Sequence, residues 1–173
     1  MNSGKVVRAL EWRKDSFMRR ALVWIICVGT YSVAAAADKI DVSTIITKSE
    51  AEAILGEPVK DPQHTNKEGN DGLYDSECSY YALNGDKALV VDVVFAAPGI
   101  AEKIFSAATS GETNATKVDG LGDKAVFYEH AATLYILNIV KGNTMITVGM
   151  HGVSATAALE QETSAAKKIL AHL

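Results

Sequence analysis

Apolar residues recur along this chain at two spacings, and the switches between them mark out its elements. KALVVDVVFA (87–96), KAVFYE (124–129), TLYILNIV (133–140) and NTMITVGM (143–150) are rich in β-branched and aromatic residues. Gly, Asn and Pro bound them, which predicts strands. SECSYYAL (76–83) predicts another, joined to the next through Asn84-Gly85, a strong hairpin signal. Helical spacing governs three other stretches. Thr47 and Glu50 form a capping box before a short helix that ends near Leu55, with Gly56 at the stop. Ile100, Ile104, Phe105 and Ala108 make the apolar stripe of a second helix that Gly111 ends. In SATAALEQETSAAKKILAHL (154–173), Ser154 reads as an N-cap. Ala155, Leu159, Ala166, Ile169, Leu170 and Leu173 share one face, and Lys167 and Lys168 favour the C-terminal end of the dipole.

The polar, Gly- and Asn-rich stretch 60–75 reads as a long surface loop. The expected order is therefore α-β-β-α-β-β-β-α, an antiparallel sheet of about five strands with three helices, in the α+β class. Two strands are apolar on both faces. Leu134, Ile136 and Val140 point opposite to Tyr135, Leu137 and Ile139, and Val90 and Val94 opposite to Val91, Val93 and Phe95. Either a helix covers the second face, or that face serves a partner or an apolar ligand.

The front of the chain has a different character. Lys5, Arg8, Arg13, Lys14, Arg19 and Arg20 precede an apolar run (21–37) that closes on Ala35-Ala36-Ala37. That is the three-part pattern of a secretory signal peptide, cleaved after Ala37, with residues 1–17 as a candidate upstream extension. Membrane attachment is expected only through an uncleaved signal segment, and residues 38–173 form one domain. A lipid anchor at Cys27 is disfavoured because bulky Trp24-Ile25-Ile26 precede it.

Removing the leader changes the charge. It takes all four Arg and leaves eleven Lys against nineteen acids, a net charge of about −8. A chain this acidic, without the bidentate donor that phosphate and base edges favour, is repelled by nucleic acid. The expected place is the periplasm or the exterior.

GLGDKA (120–125) satisfies G-x-G-x-x-A, the dinucleotide fingerprint. That chemistry needs a helix directly after the glycines, with the pyrophosphate at its N-terminus. Here a strand pattern follows and Asp123 puts a negative charge in the supposed cradle, so a turn is expected and no cofactor. Together ILGEPV, ECSYY, VDGLGDKAVF, a strand closing on VKG and an Ala-rich last helix resemble a broad class of small exported bacterial envelope proteins and lipoproteins of unknown function. That class shows a C-x-[WY] strand and a GLGD-A turn. The resemblance implies an exported fold and supplies no catalytic residues. Its frequent lipid anchor and internal disulfide do not carry over.

Cys78 is the sole cysteine after the leader. It is a buried thiol, a link to a second chain, which would make a homodimer, or a redox or catalytic thiol. Glu129, His130 and His151, with Met150, are candidates to converge at one end of the sheet as a metal site or hydrolase centre. His64 and His172 are read as solvated. Asn66, Glu68, Asn70 and Glu77 fall at calcium-loop offsets, but Asp71 stands where that loop needs glycine. Asp92 and Glu129 are candidate buried carboxylates, and Gly152-Val153-Ser154 lacks the second glycine of a nucleophile elbow. These features favour a non-catalytic binding module with no metal. Its protein partner would meet Tyr135, Leu137 and Ile139; a carrier would enclose that strip around a small apolar ligand.

Overall fold

The computed structural model describes residues 39–69 and 72–173. The signal peptide and its cleavage site lie outside the described residues, as do Asn70 and Asp71. The fold is α+β: a seven-stranded antiparallel sheet in the order β1-β2-β3-β7-β6-β5-β4, with four helices. The strands are β1 Gln63–Glu68, β2 Tyr74–Tyr81, β3 Ala88–Phe95, β4 Thr116–Lys117, β5 Lys124–Ala131, β6 Leu134–Lys141 and β7 Thr144–His151. The helices are α1 Val42–Ile45, α2 Lys48–Leu55, α3 Ile100–Thr109 and α4 Ala155–Leu170. No described helix is long and apolar enough to cross a membrane.

Two strands and one helix exceed the expected set. β1 forms inside the supposed loop, and all six of its residues are exposed, so it carries no apolar alternation to betray it. It is held by the β2 ladder and a polar clamp. The Asn66 amide donates to Asp41 Oδ2 at 2.8 Å, Ser76 Oγ donates to Asn66 Oδ1 at 2.8 Å, and the Val42 amide donates to Ser76 Oγ at 2.9 Å. The same Asp41 caps α1 by accepting from the Ser43 amide at 2.9 Å. Asn84-Gly85 lies in a longer loop than a two-residue turn, closed by the Ala82 amide on the Lys87 carbonyl at 2.9 Å.

Register assigns the faces. Leu89, Val91 and Val93 of β3, Ile146, Val148 and Met150 of β7, and Leu137 and Ile139 of β6 share the first face and are buried. α1, α2 and α4 cover it. Both N-caps form, with Thr47 Oγ1 accepting from the Glu50 amide at 3.3 Å and Ser154 Oγ from the Ala157 amide at 3.4 Å, while the Glu50 carboxylate pairs with Lys168 at 2.6 Å instead of reaching back to complete the capping box. The buried stripe of α4 is Ala158, Glu162, Ala165, Ala166 and Ile169, turned from the expected one, in which Ala155 and Leu159 were to face inward. Small Ala side chains let the helix lie close to the sheet.

Glu162 sits in the middle of that stripe, fully buried, and neither carboxyl oxygen has a hydrogen-bond partner. Burial, weakly opposed by the Met150 backbone, pushes its pKa up to about 9. Between the ordinary carboxylate value and that figure the folded chain holds a proton the unfolded chain has released. Stability therefore falls as pH rises across this window, by on the order of 3 kcal/mol at pH 7 from this group. Urea unfolding of wild type and Glu162→Gln should give similar midpoints near pH 5 and a clear advantage for the variant at pH 8. Parallel curves across that range would rule out a buried, protonated Glu162.

Candidate functional site

The second face is covered in part. α3 packs on β6 and β7, where Ala101 and Phe105 meet Val140 and Met145, flanked by Ile104, Val94, Ala96 and Val126. A polar chain fixes its last turn: Thr147 Oγ1 donates to Asn138 Oδ1 at 2.9 Å, Asn138 Nδ2 donates to the Tyr128 hydroxyl at 3.0 Å, and that hydroxyl donates to the Ala108 carbonyl at 3.3 Å. Burial, then the nearby Glu112 charge, raises the Tyr128 pKa, so the hydroxyl stays a donor.

Beyond α3, the face presents cross-strand rows. One runs Glu77, Asp92, Thr147 and Asn138; the next runs Ser79, Val90, Gly149, Ile136 and Tyr128; the last runs Tyr81, Ala88, His151 and Leu134. Val90, Ile136 and Leu134 are half-buried, and Tyr81 at 39% and Leu83 at 54% are the most exposed large apolar side chains among the described residues. Asp75, on the same face, lines a shallow groove of about 420 Å³ with Lys67, Leu73, Val94 and Ile104. Asp92 Oδ1 is buried with no hydrogen-bond partner. Burial first, then Asp75 and Glu77, raises the Asp92 pKa to about 7. This polar-and-apolar area is the candidate site.

The expected interaction strip is not on it. Leu137 and Ile139 are fully buried on the first face, and Tyr135 packs beside them, its ring stacked 5.8 Å from that of Phe127. Sequence periodicity showed that β6 is apolar on both faces, but the choice of covered face depends on where α4 docks. Cys78 is a fully buried free thiol on the first face, and burial raises its pKa. It offers no accessible sulfur for a second chain in the folded state.

Nor do Glu129, His130 and His151 converge. His130 lies in β5, with Nδ1 3.2 Å from Glu112 Oε1. Glu129 pairs in register with Tyr135 and so faces the other way. His151, the last residue of β7, donates from Nδ1 to the Asp86 carbonyl at 2.9 Å, while Nε2 lies 3.1 Å from the Thr133 hydroxyl. Met150, its neighbour in the strand, points into the first-face core. Among the described residues no group of three His, Cys, Asp or Glu side chains is placed to hold a metal. His64 lies in β1, and the Asn66 side chain is hydrogen-bonded to Asp41 and Ser76.

GLGDKA is a turn feeding a strand. Leu121 is buried in the core and Ala125 in β5 is 1% exposed. Gly122 has φ +58°, and a Cβ there would lie 2.4 Å from the Val140 carbonyl oxygen, so only glycine fits against β6. Asp123 then binds the adjacent hairpin: its amide donates to the Val140 carbonyl and its Oδ2 accepts from the Gly142 amide, both at 2.7 Å. The residues that suggested a phosphate cradle are occupied in fixing β5 against the β6–β7 turn.

No protein-family model and no curated protein matches the chain. Among solved structures it is similar to a GTP-binding regulator from Thermotoga maritima, with 12% identity over 75% of this chain and 87% of that one and a TM-score of 0.43. A likeness that remote carries no argument about this protein.

Two substitutions test the assignments. Gly122→Ala should cost ~2 kcal/mol or more in urea unfolding through strain and contact with β6. Asn138→Ala should cost about 1–3 kcal/mol, because it removes the acceptor of the Thr147 hydroxyl and the donor to the Tyr128 hydroxyl. It should also speed amide exchange in the last turn of α3 more than in α4.

Proposed function

We propose that this chain is an exported, non-catalytic envelope protein whose domain binds a partner protein through the open part of its second sheet face. The observation that supports this reading is the half-buried Val90, Ile136 and Leu134 with exposed Tyr81 in the adjoining row, on a sheet whose other face is under helices. Apolar side chains gathered on one unpartnered sheet surface are the usual mark of an interaction site. The basic, apolar and small-residue pattern of residues 1–37 supports export. An enclosed carrier is less well supported, since the strip it would use, Leu137 and Ile139, is packed against helices.

The test combines location with position-specific contact. Expressed in a bacterial host, the chain should appear in the periplasmic fraction with an intact mass that begins near Asp38. A photo-crosslinking amino acid at Ile136 should give adducts of defined mass, and the same group at Glu160, exposed on α4, should not. Full-length chain in the cytoplasm would overturn export, and equal adducts from both positions would overturn the assigned face.

A further inference from the structure

Gly149 is a residue the fold itself does not call for. It lies in the central strand β7 with ordinary extended backbone, and a Cβ there would meet nothing closer than the Tyr135 carbonyl oxygen at 3.7 Å. Neither dihedral angle nor space asks for glycine, and glycine inside a strand weakens it. Gly149 is itself buried, and its effect is on the space between its half-buried neighbours. It leaves a bare floor between Val90 and Ile136, its partners on either side. Glycine in a strand often marks close approach by a ligand or another chain.

Beside that floor runs an acidic row. Glu77 and Asp92 stand directly opposite each other, and Asp75 is on the same face one step along. Like charges across a strand pair repel, and Asp92 keeps one carboxyl oxygen buried without a partner. Among the described residues the one cation placed across from this row by register is Lys67, opposite Asp75. The row is not a metal site among the described residues. A second copy related by a two-fold axis through this row would bring acids against acids.

Resting on the reading of this face as a binding surface, we infer that its occupant is a basic amphipathic segment of a partner protein. An apolar side chain of that segment sits over Gly149 between Val90 and Ile136, and a Lys or Arg beside it meets Glu77 and Asp92. The apolar contact gives most of the affinity, and the charge gives selectivity and rate.

Three synthetic peptides of equal length, alternating Leu with Lys, with Gln or with Glu, test this by NMR amide mapping on protein purified from cells expressing the full chain. The Leu/Lys peptide should shift the amides of Val90, Asp92, Thr147 and Gly149 and bind about tenfold more tightly than the Leu/Gln peptide, with the preference shrinking as salt rises. Gly149→Val should weaken it about tenfold or more by filling the floor, and Glu77→Gln with Asp92→Asn should remove the preference for Lys. The second variant serves if the first fails to fold. Equal binding of the Leu/Lys and Leu/Gln peptides at this face would overturn the basic partner and leave the binding surface standing. Shifts confined to other surfaces, or none with any peptide, would overturn both.

Discussion

The central strands β3, β7 and β6 carry apolar side chains on both faces, so each face must find a cover or leave apolar surface in water. On the first face the solution is close packing. α4 brings Ala158, Ala165 and Ala166 down onto the sheet, and α1 and α2 fill the β2–β3 side. On the second face a ten-residue helix does the work over β6 and β7, secured through the Tyr128, Asn138 and Thr147 chain. What α3 does not reach is what gives the molecule a candidate site.

Much of this was legible in the residues. Runs of β-branched and aromatic residues bounded by Gly, Asn and Pro placed β2, β3, β5, β6 and β7. Thr47, Gly56 and Ser154 marked helix ends through their local chemistry. The rest depended on tertiary context. β1 is polar at every position and exists because β2 and Asp41 hold it; α1 is one turn long. Which face of β6 is covered, and with it the fate of Leu137 and Ile139, was set by helix docking that no local pattern encodes. A glutamate inside an Ala-rich helix reads as solvent-facing, so Glu162 gave no signal. Gly149 gave a weak one, as a glycine interrupting a β-branched run.

Glu162 and Asp92 break the agreement between local chemistry and global fold found elsewhere in the chain. They do so differently. Glu162 is enclosed by Ala and apolar side chains, so its proton is retained by the interior. Asp92 lies on the partly open face beside other acids, so an incoming cation could relieve it without opening the core. The first bears on how tightly α4 docks, the second on what docks from outside.

Both margins of the sheet are poor templates. At one, β1 shows solvent six polar side chains with Lys67 among them; at the other, β4 has only two residues. Charged or very short border strands resist recruitment into larger β-assemblies. Borders blunted in this way discourage strand-by-strand growth of the ladder, which leaves the open flank as the less guarded side for contact.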